Sequence, residues 1–469
     1  MLKRMAVLAI PLAGCASALP PSPVLPETPA QWSALDTEIS PAALSDRGWL
    51  ADFGDARLES LVAEAVTANH DLTAAAARLS AAREQARIAG AARLPEIDLG
   101  LSAARSKRAP SGLSASSARA VTSYGLDASA SWEIDVWGRI RAGSQATIRD
   151  FEAAHADWRG ARLSLAAEVA RDWFLLAETH AQEQLASRTV ASFQRSLDVV
   201  EERYRAGLST ALDMHLAREN AATAESNLAM RRQVRDAAAR ALETLLGRYP
   251  LAGIAAAELS LPRLSRDIPA GIPSDLLGRR PDLVAGEKRF EAASARVSEA
   301  RRVRLPSLKL TAAGGTASDT LRNLLDWDYL VWSIVSDLTQ PLFTGGRLSA
   351  ELALAEARDR EAIELYAQAI LNAFREVESA LAAETYLTEQ EQALAKASAE
   401  AGEAADLALD SYGRGLADMV TLLEAQRRAF TAESTYLRTA RERLDNRVNL
   451  YLALGGDFIA PENDMESEK

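Results

Sequence analysis

"SYGRGLADMVTLLEAQ" (411–426) interrupts an alanine-rich run that otherwise patterns as one continuous helix. It holds Gly413 and Gly415 and no proline. The stretch "RYRAGLSTALDMHLA" (203–217) carries the same Tyr-x-x-Gly-Leu core, with Tyr204 and Tyr412 standing 208 residues apart. Glycine just past a helix end permits the left-handed turn that starts an antiparallel return. Two such turns predict two long helical hairpins, with tips near Gly207 and Gly415.

Outward from the tips the helical pattern is long. No proline occurs from 139 to 204 or from 347 to 412. Leu163, Ala166, Ala170, Trp173 and Ala177 follow the alternating three-and-four spacing of a coiled-coil seam. A helix of about 65 residues reaches roughly 100 Å at 1.5 Å per residue. The returns end at Leu246-Gly247 and Leu454-Gly455.

Before each long helix the period changes from helical to alternating. Arg93-Leu94-Pro95 and Arg304-Leu305-Pro306 each end a helix, because proline disfavours helical backbone in the residue before it. Ile97, Leu99, Leu101 and Ala103 then alternate with polar residues, and so do Leu126, Ala128, Ala130, Trp132, Ile134 and Val136. Strands are expected at about 96–104, 122–136, 307–317 and 329–341. Segments of about 10 residues with one apolar face suit membrane-spanning strands, and they also suit a small soluble sheet. If they span a membrane, four strands cannot close a barrel and open edges are not tolerated in lipid, so several chains must share one barrel.

The chain repeats itself once. "RLSAAREQARIAGAARLPEIDL" (78–99) aligns with "RFEAASARVSEARRVRLPSLKL" (289–310) at an offset of 211, whereas the tips and Leu-Gly ends keep 208. The slip falls between Pro95 and Gly207. The first repeat is taken as 41–265 and the second as 266–456, with an acidic tail at 457–469.

"MLKRMAVLAIPLAGCAS" opens with Lys3 and Arg4, a short apolar core and small residues before Cys15, a secretory signal over 1–14. Leu12-Ala13-Gly14-Cys15 resembles a bacterial lipobox, and Cys15 is the single cysteine, so lipidation there explains it better than a disulfide. Prolines at 20, 21, 23, 26 and 29 make 15–40 a stiff lipid-anchored linker. The formal net charge of -12 argues against nucleic acid as a partner. Four scattered histidines, no nucleotide loop and no serine elbow point to no enzyme, no bound metal and no cofactor beyond the lipid on Cys15. Only six methionines give a copper relay no support.

The chain resembles the TolC-like outer membrane factors, in the lipoprotein branch that serves resistance-nodulation-division efflux systems. The resemblance rests on Cys15, "GWLADFGDARLESLVAEAVTANHDLTAAAARLSAAR" (48–83), "LPEIDL", "LLGRRPDLVAGEKRF" (276–290) and both tips. It implies a mainly α fold with a membrane β-barrel. Three chains would share a 12-stranded barrel above a long antiparallel helical barrel. An equatorial belt would draw on 249–275 and the chain ends. The implied partners are further copies of the chain in a homotrimer, a periplasmic adaptor, an inner-membrane efflux transporter and outer-membrane lipid. The implied location is the Gram-negative outer membrane, with most mass in the periplasm.

Within that resemblance, Leu422-Leu423-Glu424-Ala425-Gln426 matches a motif that closes the channel, with Glu424 in place of the usual aspartate. Val420 lies one turn away on the same face and matches an apolar constriction. Gly207, Leu208, Ser209, Gly415, Leu416 and Ala417 become candidates for adaptor docking, because a leucine on a charged tip invites a partner. Arg279-Arg280-Pro281-Asp282 reads as a helix start. A type I secretion or metal-efflux duct would share the fold. A lipid-anchored periplasmic coiled-coil scaffold is the alternative of another class.

Overall fold

The proline and glycine punctuation sets the order of elements in the computed structural model, which describes residues 26, 28, 29, 32, 33, 48–107, 120–254, 259–264 and 276–457. Cys15, most of the proline-rich linker, part of 249–275 and the tail after Asp457 lie outside the described residues. In chain order the helices and strands are α1 (Ala56–Ala68), α2 (His70–Ala91), β1 (Glu96–Lys107), β2 (Ala120–Ile134), α3 (Arg139–Arg205) and α4 (Ala211–Leu245). The second half follows with α5 (Leu276–Arg279), α6 (Pro281–Arg302), β3 (Ser307–Ser318), β4 (Leu330–Thr339), α7 (Arg347–Gly413) and α8 (Met419–Ala453). Helices α3 and α7 each hold 67 residues, and α4 and α8 each hold 35. Strands β1 and β3 start 211 residues apart, while α3 and α7 start 208 apart. The slip therefore falls between the first strand of each half and the long helix.

Strand boundaries depart from the sequence reading for local reasons. β1 continues to Lys107, three residues past the expected end. β2 stops at Ile134, short of 136, because Asp135 is taken by the next helix. Its carboxylate accepts the Ile140 N–H at 3.0 Å and the Arg141 N–H at 2.8 Å, capping the orphan donors at the start of α3. β4 stops at Thr339, just ahead of Pro341, which has no N–H to give a ladder.

The four strands form one antiparallel sheet in the order β1-β2-β3-β4. Its register sorts the side chains. Ile97, Ala130, Ala312 and Ile334 stand in one row, and Leu99, Ala128, Gly314 and Trp332 in the next. The opposite face carries Asp127, and Glu133, Lys309 and Asp337 in a single row. One face is thus apolar and exposed, with Leu99 at 78 % and Trp332 at 73 % accessibility, and the other is mostly polar, with Val331 and Val335 on β4 as exceptions. Gly100 makes room on the polar face, since a Cβ there would lie 2.9 Å from the Asp127 carboxylate. Among the described residues no strand pairs with the outer edge of β1 or of β4.

Below the sheet the helices form a ribbon four columns wide. In the upper part α2 packs on α3, α3 on α6 and α6 on α7. In the lower part α4 packs on α3, α3 on α8 and α8 on α7. Two columns run the full height as α3 and α7. The other two change helix halfway, α4 ending against the start of α2 and α8 against the start of α6. Each junction sets the positive end of one helix on the negative end of another. At the first, Asn69 accepts the Leu72 N–H at 3.0 Å and donates to the Leu245 carbonyl at 2.9 Å. At the second, Arg280 donates to the Ala453 carbonyl at 3.2 Å. Gly247 and Gly455 end α4 and α8 with positive φ. A Cβ at Gly247 would stand 2.7 Å from the Ala68 carbonyl oxygen, and one at Gly455 would stand 3.0 Å from the Arg279 and Arg280 backbone. Glycine is required there for both its dihedral freedom and its size.

Pro281 opens α6 as expected. Asp282 sits in its first turn, as expected, and is also held by Arg280 at 2.8 Å. Arg280 also pairs with Glu376 of α7 at 2.8 Å, so one buried guanidinium ties α6, α7 and α8. Burial lowers the proton affinity of that guanidinium, yet Asp282 and Glu376 outweigh it and hold it above its ordinary range. The largest core sits at this level. Phe53, Leu58 and Leu61 pack with Phe174, Leu242 and Tyr451, and Ile254, Leu259, Leu261 and Leu264 join it. Of the predicted seam residues, Ala166, Ala170, Trp173 and Ala177 are buried and Leu163 is half-buried.

Candidate functional site

Both hairpin tips are built from the residues the sequence singled out. At the first, the Leu208 N–H donates to the Arg203 carbonyl at 2.8 Å and the Gly207 N–H to the Tyr204 carbonyl at 2.9 Å. At the second, the Leu416 N–H donates to the Ser411 carbonyl at 2.8 Å and the Gly415 N–H to the Tyr412 carbonyl at 2.9 Å. Gly207 has φ 73° and Gly415 φ 77°, so both turns are Schellman closures that need the left-handed region. Leu208 and Leu416 project into solvent, at 66 % and 78 % accessibility. Ser209 and Ala417 are half-buried behind them.

The returning helices start with matched caps. Thr210 accepts the Asp213 N–H at 3.1 Å, while Asp213 accepts the Thr210 N–H at 2.9 Å, a reciprocal capping box. Asp418 accepts the Thr421 N–H at 2.7 Å. The two tips exchange residue types, Thr210 and Asp213 in one against Asp418 and Thr421 in the other. The Thr210 N–H above all holds the Asp213 carboxyl below the usual carboxylate range, and Thr421 does the same for Asp418. The Thr-x-x-Asp spacing is the signal that would have found the first cap.

The tips are also tied to each other, which the sequence did not show. The Arg203 guanidinium lies 5.2 Å from the Tyr412 ring centroid and donates to the Gly413 carbonyl at 3.0 Å. The Ser209 hydroxyl stands 3.3 Å from the Tyr412 hydroxyl. The repeat is unequal here. Tyr412 is buried, whereas its counterpart Tyr204 is exposed.

Val420 and Glu424 lie one turn apart on the same side of α8. The opposite side, with Met419, Leu422 and Gln426, is buried, and Gln426 donates to Ser196 of α3 at 2.9 Å. Val420 is 67 % exposed. The Glu424 carboxylate is not bare. Arg428 contacts it at 2.7 Å and Arg427 at 3.1 Å, and these bonds, Arg428 first, hold it below its usual range. The structure thus pairs Glu424 with two arginines of its own chain. The equivalent positions of the first tip are Leu212 and Leu216, which carry no charge.

Among the described residues no cluster of His, Cys, Asp and Glu is placed to hold a metal ion, and no helix is long and apolar enough to cross a membrane. The surface that can meet a bilayer is the apolar face of the sheet.

Residues 61–248 and 272–456 both match the family described as outer membrane efflux protein. The chain is 35 % identical over 462 residues to the pyoverdine export outer membrane protein OpmQ of Pseudomonas putida, covering 97 % of each. It is 31 % identical to the cation efflux system protein CusC of Escherichia coli, covering 96 % of this chain and 97 % of that one. Its structure is similar to the outer-membrane channel OprN, with TM-score 0.87 at 27 % identity over 94 % of this chain and 100 % of that chain. Open sheet, four-column ribbon and paired tips thus occur together in a chain that belongs to the outer membrane efflux protein family.

Proposed function

We propose that three copies of this chain close into one exit duct that carries small toxic molecules across the outer membrane as the last stage of a tripartite pump. The observation that carries this reading is the four-stranded sheet with one apolar face and two open edges, standing on a ribbon of helices about 100 Å long. In lipid the edges of β1 and β4 must be paired, and a neighbouring copy supplies the partner for each. The same edge-to-edge contact rolls the ribbons into a tube. Residues 1–14 act as the export signal, Cys15 carries the lipid anchor, and 15–40 leads from it to the two repeats, 41–265 and 266–456.

Transport through the duct is passive and involves no catalytic step; an inner-membrane transporter supplies the energy. Val420 and Glu424 close the periplasmic end. The tip residues Gly207, Leu208, Ser209, Gly415, Leu416 and Ala417 receive a periplasmic adaptor, whose binding favours the open arrangement of a two-state element. OpmQ is named for pyoverdine and CusC for cations, so related ducts differ in what they pass. The pump delivering to the duct selects the cargo.

The test uses a host lacking its own outer-membrane efflux channels and supplied with the adaptor and pump. Adding the full-length chain should lower accumulation of a fluorescent efflux dye. Equal accumulation with and without the chain would overturn the reading.

A further inference from the structure

We propose that Arg105 and Lys107 bind the phosphates of a glycolipid in the outer leaflet of the outer membrane. The inference rests on the membrane-spanning reading of the sheet. The register sorts the charged residues of the four strands by face. Glu96, Asp98, Asp127, Glu133, Lys309 and Asp337 all stand on the polar face. Arg105 and Lys107 are the only charged strand residues on the apolar face, in line with Leu99 and Leu101. Both are basic, and both lie at the end of β1 farthest from the helices.

Their height on the sheet matches a headgroup layer. The apolar rows run from Ile134, Leu308 and Leu338 up to Leu101, Leu126 and Leu330. From Ile134 to Leu126 the strand climbs about 27 Å, or about 20 Å of height at a tilt near 40°. The apolar band of a membrane barrel is about 25 Å tall. Tyr124, opposite Ala103, occupies the next row, where amphipathic rings meet the headgroups. Arg105, opposite Thr122, stands about 10 Å above the Leu126 row, and Lys107, opposite Ala120, about 5 Å higher. Both side chains are exposed, and neither makes an ion pair or a side-chain hydrogen bond among the described residues. The acids Asp319, Asp326 and Asp328 lie in the β3–β4 connection, two strands away. Unpaired positive charge therefore faces a leaflet whose glycolipids carry phosphates, and charge-assisted bonds to phosphate complete it.

The test titrates the full-length protein in detergent with lipid A, an acylated disaccharide carrying two phosphates, and counts bound lipid by native mass spectrometry. Arg105→Gln combined with Lys107→Gln should lower the affinity at least about ten-fold at unchanged protein mass. Removing the phosphates from the lipid should cost the wild type as much and the double variant little. Lys309→Gln, on the opposite face, should bind as the wild type does. Equal affinity of wild type and double variant, or wild type that binds the dephosphorylated lipid equally well, would overturn the site. Displacement of the lipid by inorganic phosphate would overturn the glycolipid as its occupant. The reading beneath it fails separately: wild type that stays out of floated vesicles of outer-membrane lipid would overturn the spanning sheet and the site with it, whereas insertion with phosphate-independent binding would overturn the site alone.

Discussion

Arg203, at the foot of α3, lies over the ring of Tyr412, at the foot of α7, and donates to the carbonyl of the next residue, Gly413. One side chain of the first hairpin thereby closes the last turn of the second. Replacing Arg203 with alanine removes a cation–π contact and a charged hydrogen bond, together worth at least about 1 kcal/mol at this half-buried site. Amide exchange over 411–417 should rise roughly five-fold. Arg203→Lys, which keeps the charge and loses the planar fork, should fall between. Unchanged exchange in Arg203→Ala would show that the tips are held by other contacts.

The exposed leucines make a separate prediction. Leu208→Asp or Leu416→Asp places a charge where an adaptor would meet an apolar tip. Neither side chain supports the core, so native mass should remain that of the wild type. Dye efflux should be lost. Normal efflux in both variants would remove these leucines from the docking surface.

A third prediction concerns pH. Asp172 of α3 is half-buried, and its carboxyl is pushed up to about 6, by burial first and then by Glu168, with Arg171 opposing. The folded chain therefore binds this proton more tightly than the unfolded one. Its contribution to stability is fully unfavourable above about pH 6, declines as pH falls below that value and is gone below the ordinary 3.8. Asp172→Asn should stabilise the fold at pH 7.5 by about 1 kcal/mol once solvent screening is allowed for, seen as a raised thermal midpoint, and should change that midpoint little at pH 3.5. A variant equally stable with wild type at both values would contradict this environment for Asp172.

The hairpins and strands were legible in the sequence because their signals are local. Gly207 and Gly415 announce the left-handed turns, and Pro95 and Pro306 stop the helices before the strands. The alternation from Ile97 to Leu101 became an apolar face because period two is a property of the strand itself. What stayed hidden depends on contacts across the ribbon. Arg280 does start α6 and holds Asp282, as its sequence position allows, while its other partners, Glu376 and the Ala453 carbonyl, lie far along the chain. Tyr412 matched Tyr204 in sequence, and only packing separates the buried copy from the exposed one. The pairing of Glu424 with Arg427 and Arg428 is local, at three and four residues along one helix, and was legible in the spacing.

The gate is decided by the conductance of the purified protein in a planar lipid bilayer without adaptor or pump. Wild type should show a small resting conductance, held down by Val420 and the arginine-bound Glu424. Val420→Ala combined with Glu424→Ala should raise the resting conductance several-fold while the trimer stays intact. A double variant that conducts no more than wild type would contradict closure of the duct at these residues.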